Sequence, residues 1–167
     1  GRNVDPRFAT VALLLACTSV LKADTVISTD TTRDGVALAA DSVLVVSGPT
    51  NPVLTLDNGA TVDWGSADKR LMVIGRHEGE SGSFQLMGGS TVTVAGSGLV
   101  DAQDFSYGSA YLGYAPGSTG AAVVTGTGSN WTMQEYLMVG GDGSGSLTVT
   151  GGGNVSSESI LVGAYEG

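Results

Sequence analysis

The chain has 167 residues, of which 27 are glycine and only 14% are charged, with a formal net charge of −9. Average chains hold about 7% glycine and about 25% charge, so this is not the charge-rich, Val-poor composition of a disordered segment. No Lys or Arg follows Arg76, while acids continue to Glu166; the C-terminal half cannot neutralise phosphate, which excludes nucleic acid and argues against anionic membrane surfaces.

Taken in chain order, residues 1–23 differ from the rest. "GRNVDPR" carries two arginines, and "FATVALLLACTSVL", residues 8–21, is an apolar run. It is short for a membrane-spanning helix, which needs about 20 residues, and fits the apolar region of a secretory signal. Residues 1–23 are therefore expected to be a short helical signal peptide with a truncated n-region, cleaved after Ala23. "LLAC", ending at Cys17, resembles the lipobox of bacterial lipoproteins, which leaves lipidation of Cys17 as the other processing route. Cys17 is the only cysteine, so a mature chain holds together without disulfides.

From residue 24 onward the pattern repeats. Four apolar runs end in glycine: "LMVIG" at Gly75, "AYLG" at Gly113, "YLMVG" at Gly140 and "ILVG" at Gly163. The first three lead into Gly/Ser-rich turns, "RHEGESGS", "YAPGSTG" and "GDGSGS". Alternating strands follow: "FQLMGGSTV", "AVVTGTGSNW" and "LTVTGGGNV", with an earlier copy in "LTLDNGATV". In "LTVT", Leu147 and Val149 point one way and Thr148 and Thr150 the other. One such unit cannot bury its apolar face alone; stacking the units makes a continuous core, with Thr, Ser and Asn forming ladders outside. The expected fold is all-β, a parallel β-solenoid over residues 24–167, incomplete at its C-terminus, with five or six coils. The wide interval between Gly75 and Gly113 places an insertion within residues 95–109. Residues 24–42 are the candidate cap of the first coil.

Chemistry-bearing residues are few. His77 lies in "GRHEGE" with Glu78 and Glu80, but a lone His lacks the further ligands a zinc site needs. No serine stands in a G-x-S-x-G elbow. Asp142 in "GGDGSG" is misplaced for a calcium-binding nonapeptide repeat. No metal or cofactor is expected. The candidate binding residues are Asp101, Asp104, Phe105, Tyr107 and Tyr111, because acids and aromatics within a solenoid insertion can grip sugar. Trp64 and Trp131 are expected to fill core or corner positions.

"VVTGTGSNWT", "YLMVGGDGSGSLTVTGGGNVSS" and "ILVGAYEG" resemble the repeats of bacterial autotransporter passenger domains, and "ADTVISTDTT" is similar to passenger starts just after their signal peptides. The resemblance spans residues 24–167. It implies a right-handed β-helix, exported to the cell surface or outside the cell through a C-terminal translocator barrel in the full-length protein. It also implies a structural or adhesive, non-enzymatic role toward a host surface or glycan. Two other readings remain open. One is a lipid-anchored or secreted surface binding module without such a barrel. The other is a β-helix carbohydrate-active enzyme, which would need an acid cluster beside a metal or a basic partner.

Overall fold

The computed structural model describes residues 24–100 and 105–163, which hold sixteen strands and no helix. The expected signal segment, Cys17, Asp101 and Asp104 lie outside the described residues. The chain turns through three faces per coil. The first coil contains β1 (Thr25–Ile27), β2 (Thr31–Asp34) and β3 (Leu38–Ala39). The second contains β4 (Val43–Val46), β5 (Val53–Asp57) and β6 (Val62–Asp63); the third, β7 (Leu71–Ile74), β8 (Ser81–Leu86) and β9 (Thr91–Val94). The fourth contains β10 (Ser109–Leu112), β11 (Thr119–Thr125) and β12 (Asn130–Met133); the fifth, β13 (Tyr136–Val139), β14 (Ser144–Thr150) and β15 (Asn154–Ser156). The last strand, β16 (Ser159–Val162), begins a sixth.

Every third strand joins the same sheet, and every strand pairing is parallel. The first sheet runs β1-β4-β7-β10-β13-β16 and the second β2-β5-β8-β11-β14. The third face holds β9-β12-β15 and, beside it, β3-β6, joined by a Thr61–Thr91 bridge. This is an all-β stack of parallel sheets with the arrangement of a β-solenoid.

Alternation places one set of side chains inside. Leu44, Met72, Ala110 and Leu137 stand in one register column, and Leu54, Phe84 and Ala122 in another. Each of these is at most 1% exposed. The fourth coil carries alanine at both positions and the fully buried Trp131 on its third face. Phe84 and Trp131 meet edge to face, with centroids 5.2 Å apart. Trp64 is buried at the corner after β6. Both tryptophans thus occupy the core or corner positions read from the sequence.

Outside, the third face carries a polar ladder. Asn154 Nδ2 donates to Asn130 Oδ1 at 2.7 Å, and Ser156 Oγ to Thr132 Oγ1 at 3.2 Å. The first coil departs from the pattern inside: Thr31 and Arg33 stand in register with Leu54 and Leu56. On this face polar side chains take the inward positions at the start of the stack, while Ile27 and Leu38 keep the core apolar on the other two faces.

Glycines set the corner between the first and second sheets. Gly75, Gly113 and Gly140 adopt φ of 70°, 66° and 75°, a region open to glycine at little cost.

Candidate functional site

Loop length varies most where the chain passes from the third face back to the first. Residues 134–135 suffice after β12, residues 64–70 are used after β6, and residues 95–108 after β9. The last is the insertion expected from the repeat spacing. Its two arms run antiparallel through a Leu99–Ser106 bridge, with Val100 N donating to Phe105 O at 2.9 Å and Tyr107 N to Gly98 O at 3.0 Å. Its base is tied to coils on both sides. Gly108 N donates to Arg70 O at 2.7 Å, and Gly96 N to Gln134 Oε1 at 3.0 Å.

The returning arm folds onto the outer face of the first sheet. Phe105 packs in a second apolar cluster with Leu71, Val73, Tyr111 and Met138. Phe105 lies 5.0 Å from Tyr111 and 4.2 Å from Tyr114, centroid to centroid. The Tyr111 hydroxyl accepts a hydrogen bond from Ser106 N at 2.9 Å. The Arg76 guanidinium sits 5.7 Å from the Phe105 ring centre and ion-pairs with Asp24. Lys69 Nζ lies 5.7 Å from the Tyr107 ring centre. As a result β7 and β10 are buried along their whole length, whereas β5, β8 and β11 alternate.

Of the residues read as a binding site, Phe105, Tyr107 and Tyr111 come together. Phe105 is 3% exposed and Tyr111 4%, so these two rings are spent on each other and on the sheet. Tyr107 is half-buried and keeps some surface. Sequence reasoning missed Tyr114, Arg76 and the outward column Val45, Val73 and Met138 in which Tyr111 stands. The signal was present: "LMVIG" and "YLMVG" have no polar residue at alternate positions, which marks strands covered on both faces.

Phe105→Ala is expected to cost about 3 kcal/mol, the usual range for a buried aromatic truncation. Hydrogen exchange should show lost protection confined to the two arms and to β7 and β10. Tyr107→Ala, at a half-buried ring, should cost under about 1 kcal/mol.

The other singled-out groups are structural or exposed. His77 and Glu78 are exposed. Glu80 accepts a hydrogen bond from Ser47 Oγ at 2.7 Å, and Ser47 Oγ accepts one from Arg76 N at 3.0 Å, so this carboxylate pins a corner of the stack. Asp142 is exposed, and its amide donates to Tyr114 O at 3.0 Å. Among the described residues, no group of three or more His, Cys, Asp or Glu is placed to hold a metal ion.

No protein-family model, curated protein or solved structure matches the chain.

Proposed function

We propose that this chain is a structural and display segment of an exported bacterial protein, acting without catalysis: a right-handed parallel β-helix of the autotransporter passenger kind, standing at the cell surface. One observation carries the reading. The stack grows by one strand per face in each coil, while loop variation concentrates at one corner, where two antiparallel arms, residues 98–100 and 105–107, stand beside the first sheet and Phe105 packs onto it. Such a body holds a loop at a fixed height and orientation. The right-handed sense follows from the general preference of parallel crossover connections within a sheet. The Ser-, Thr- and Asn-rich exterior and the low charge suit a surface that neither collapses nor attracts nucleic acid.

In this reading the protein acts by presenting the 95–108 excursion to a host surface or glycan. The test replaces residues 95–108 by a short link like residues 134–135 and compares both proteins on host cell layers and a glycan panel. Binding by the parent and loss in the shortened protein, with the β-sheet spectrum unchanged, is the expected result. Equal binding by both would move the contact elsewhere on the stack. Turnover of any glycan, abolished by replacing Asp101 and Asp104, would replace this proposal with the enzymatic one. Antibodies against residues 24–163 should label intact cells of the source organism; labelling only after lysis would contradict surface display.

A further inference from the structure

The third face repeats a short motif. Of the five asparagines, only Asn130 and Asn154 have a hydroxyl residue two positions on, in "NWT" and "NVS". Asn-x-Ser/Thr, with x other than proline, is the acceptor sequence for N-linked sugar. Three residues can match by chance in a chain rich in Ser and Thr, but here both copies fall at the same position of the coil. Asn130 stands beside Asn154, Trp131 beside Val155 and Thr132 beside Ser156. Alternation along β12 and β15 turns the Asn and the hydroxyl to the same, outward side. Asn130 and Asn154 are exposed, while Trp131, between Asn130 and Thr132, is 0% exposed. Asn154 Nδ2 donates to Asn130 Oδ1, and the Asn130 side-chain nitrogen has no partner of its own among the described residues.

We propose that Asn130 and Asn154 are glycosylation sites, each carrying an N-linked hexose or N-acetylhexosamine. The donor is a sugar activated as its diphosphate ester. Asn Nδ2 attacks the anomeric carbon. The C–N bond forms, the bond to the diphosphate oxygen breaks, and the diphosphate leaves with that electron pair. One amide proton passes to a base of the transferase. The product is a secondary amide that keeps one N–H, enough for the Asn154–Asn130 bond to persist. The sugar projects from the outward face, so the core around Trp131 needs no change. β12 is hydrogen-bonded on both sides, to β9 and β15, which closes the extended segment to an enzyme. Transfer therefore precedes the stacking of this coil. The two attachment points then stand about 4.8 Å apart on neighbouring coils. β9, β12 and β15 hold no charged residue, so on this face sugar supplies the strong hydration that charge supplies elsewhere.

The test is peptide mass mapping of the protein taken from cells of its source organism. Glu135 lies between the two sites, so a glutamate-specific protease separates them into different peptides. Both peptides are expected to carry the added mass of a hexose or N-acetylhexosamine, placed on Asn130 and Asn154 by electron-transfer fragmentation. Thr132→Ala, made in the same cells, should remove the sugar from Asn130 and leave it on Asn154. Thr132→Ser should retain both. The readout is a mass, so a loss of stability in either variant does not mimic it. Bare peptides at both sites would overturn the proposal. So would sugar confined to serine or threonine hydroxyls, or sugar on Asn130 that survives Thr132→Ala.

Discussion

Gly120→Ala is expected to cost about 4 kcal/mol or more, enough to consume much of the stability of a domain this size. The reason is not backbone conformation, since the φ of Gly120 is not in the left-handed region. It is proximity. A Cβ at Gly120 would overlap the Ile74 carbonyl oxygen and the Gly113 amide nitrogen, and would stand 2.8 Å from the Leu112 carbonyl carbon. Those atoms belong to the backbone of the preceding coil and of the same coil, so no side chain can swing aside. Gly82, Gly120 and Gly145 stand in one register column, where the second sheet passes close beside the end of the first. A Cβ at Gly82 would meet the Val46 carbonyl carbon at 2.8 Å, and one at Gly145 the Leu112 carbonyl oxygen at 2.7 Å. The control is Gly59→Ala. Gly59 has a φ of 78°, and an added methyl there would have nothing within 4 Å, so only the conformational penalty applies, about 1 to 2 kcal/mol. Urea unfolding followed by tryptophan fluorescence checks both. Equal losses for the two variants would mean that the faces are not packed backbone to backbone at this corner.

Trp131→Ala is expected to cost about 4 kcal/mol, the upper part of the range for a buried aromatic. Trp131 is fully buried and its neighbours on the other two faces of the coil, Ala110 and Ala122, are too small to collapse into the void. The phenylalanine variant separates volume from hydrogen bonding. Trp131 Nε1 is buried with no hydrogen-bond partner. Removing that N–H relieves a desolvation cost of about 1 to 3 kcal/mol and offsets part of the lost packing. Trp131→Phe should therefore lose under about 2 kcal/mol. A phenylalanine variant as unstable as the alanine variant would show that the indole N–H is paired after all. Either loss should spread to β9 and β15, since coils in a stack are coupled to their neighbours.

Much of the stack was legible in sequence because it rests on local signals. Leu147 and Val149 alternate with Thr148 and Thr150, and that period of two assigns both the strand and its inward face. Gly75, Gly113, Gly140 and Gly163 close the apolar runs, and all four adopt positive φ. The excess spacing before Gly113 located the insertion. Other features depend on contacts between faces. The Gly82, Gly120 and Gly145 column was present as "SGS", "TGA" and "SGS", but in a chain with 27 glycines no residue type separates a crowded glycine from a turning one. The candidate site was legible only as a group. Of the five residues whose chemistry groups them, Phe105, Tyr107 and Tyr111 are brought together, and Asp101 and Asp104 lie outside the described residues. What composition does not convey is that Phe105 and Tyr111 face the sheet and each other. That orientation follows from Leu71, Val73 and Met138 supplying an apolar surface on the outward side of the first sheet.

Each repeat forms one coil, stacked in parallel register on the one before. Thr32, Thr55, Gln85, Val123 and Thr148 make one outward column across the second sheet. Spin labels at Thr32→Cys and Thr148→Cys, with Cys17 replaced by serine, report its length by dipolar spectroscopy. Four strand spacings separate the two backbone positions, about 19 Å. A narrow distribution centred near that distance is the predicted result. A broad distribution, or one centred beyond about 30 Å, would contradict the coil stack itself.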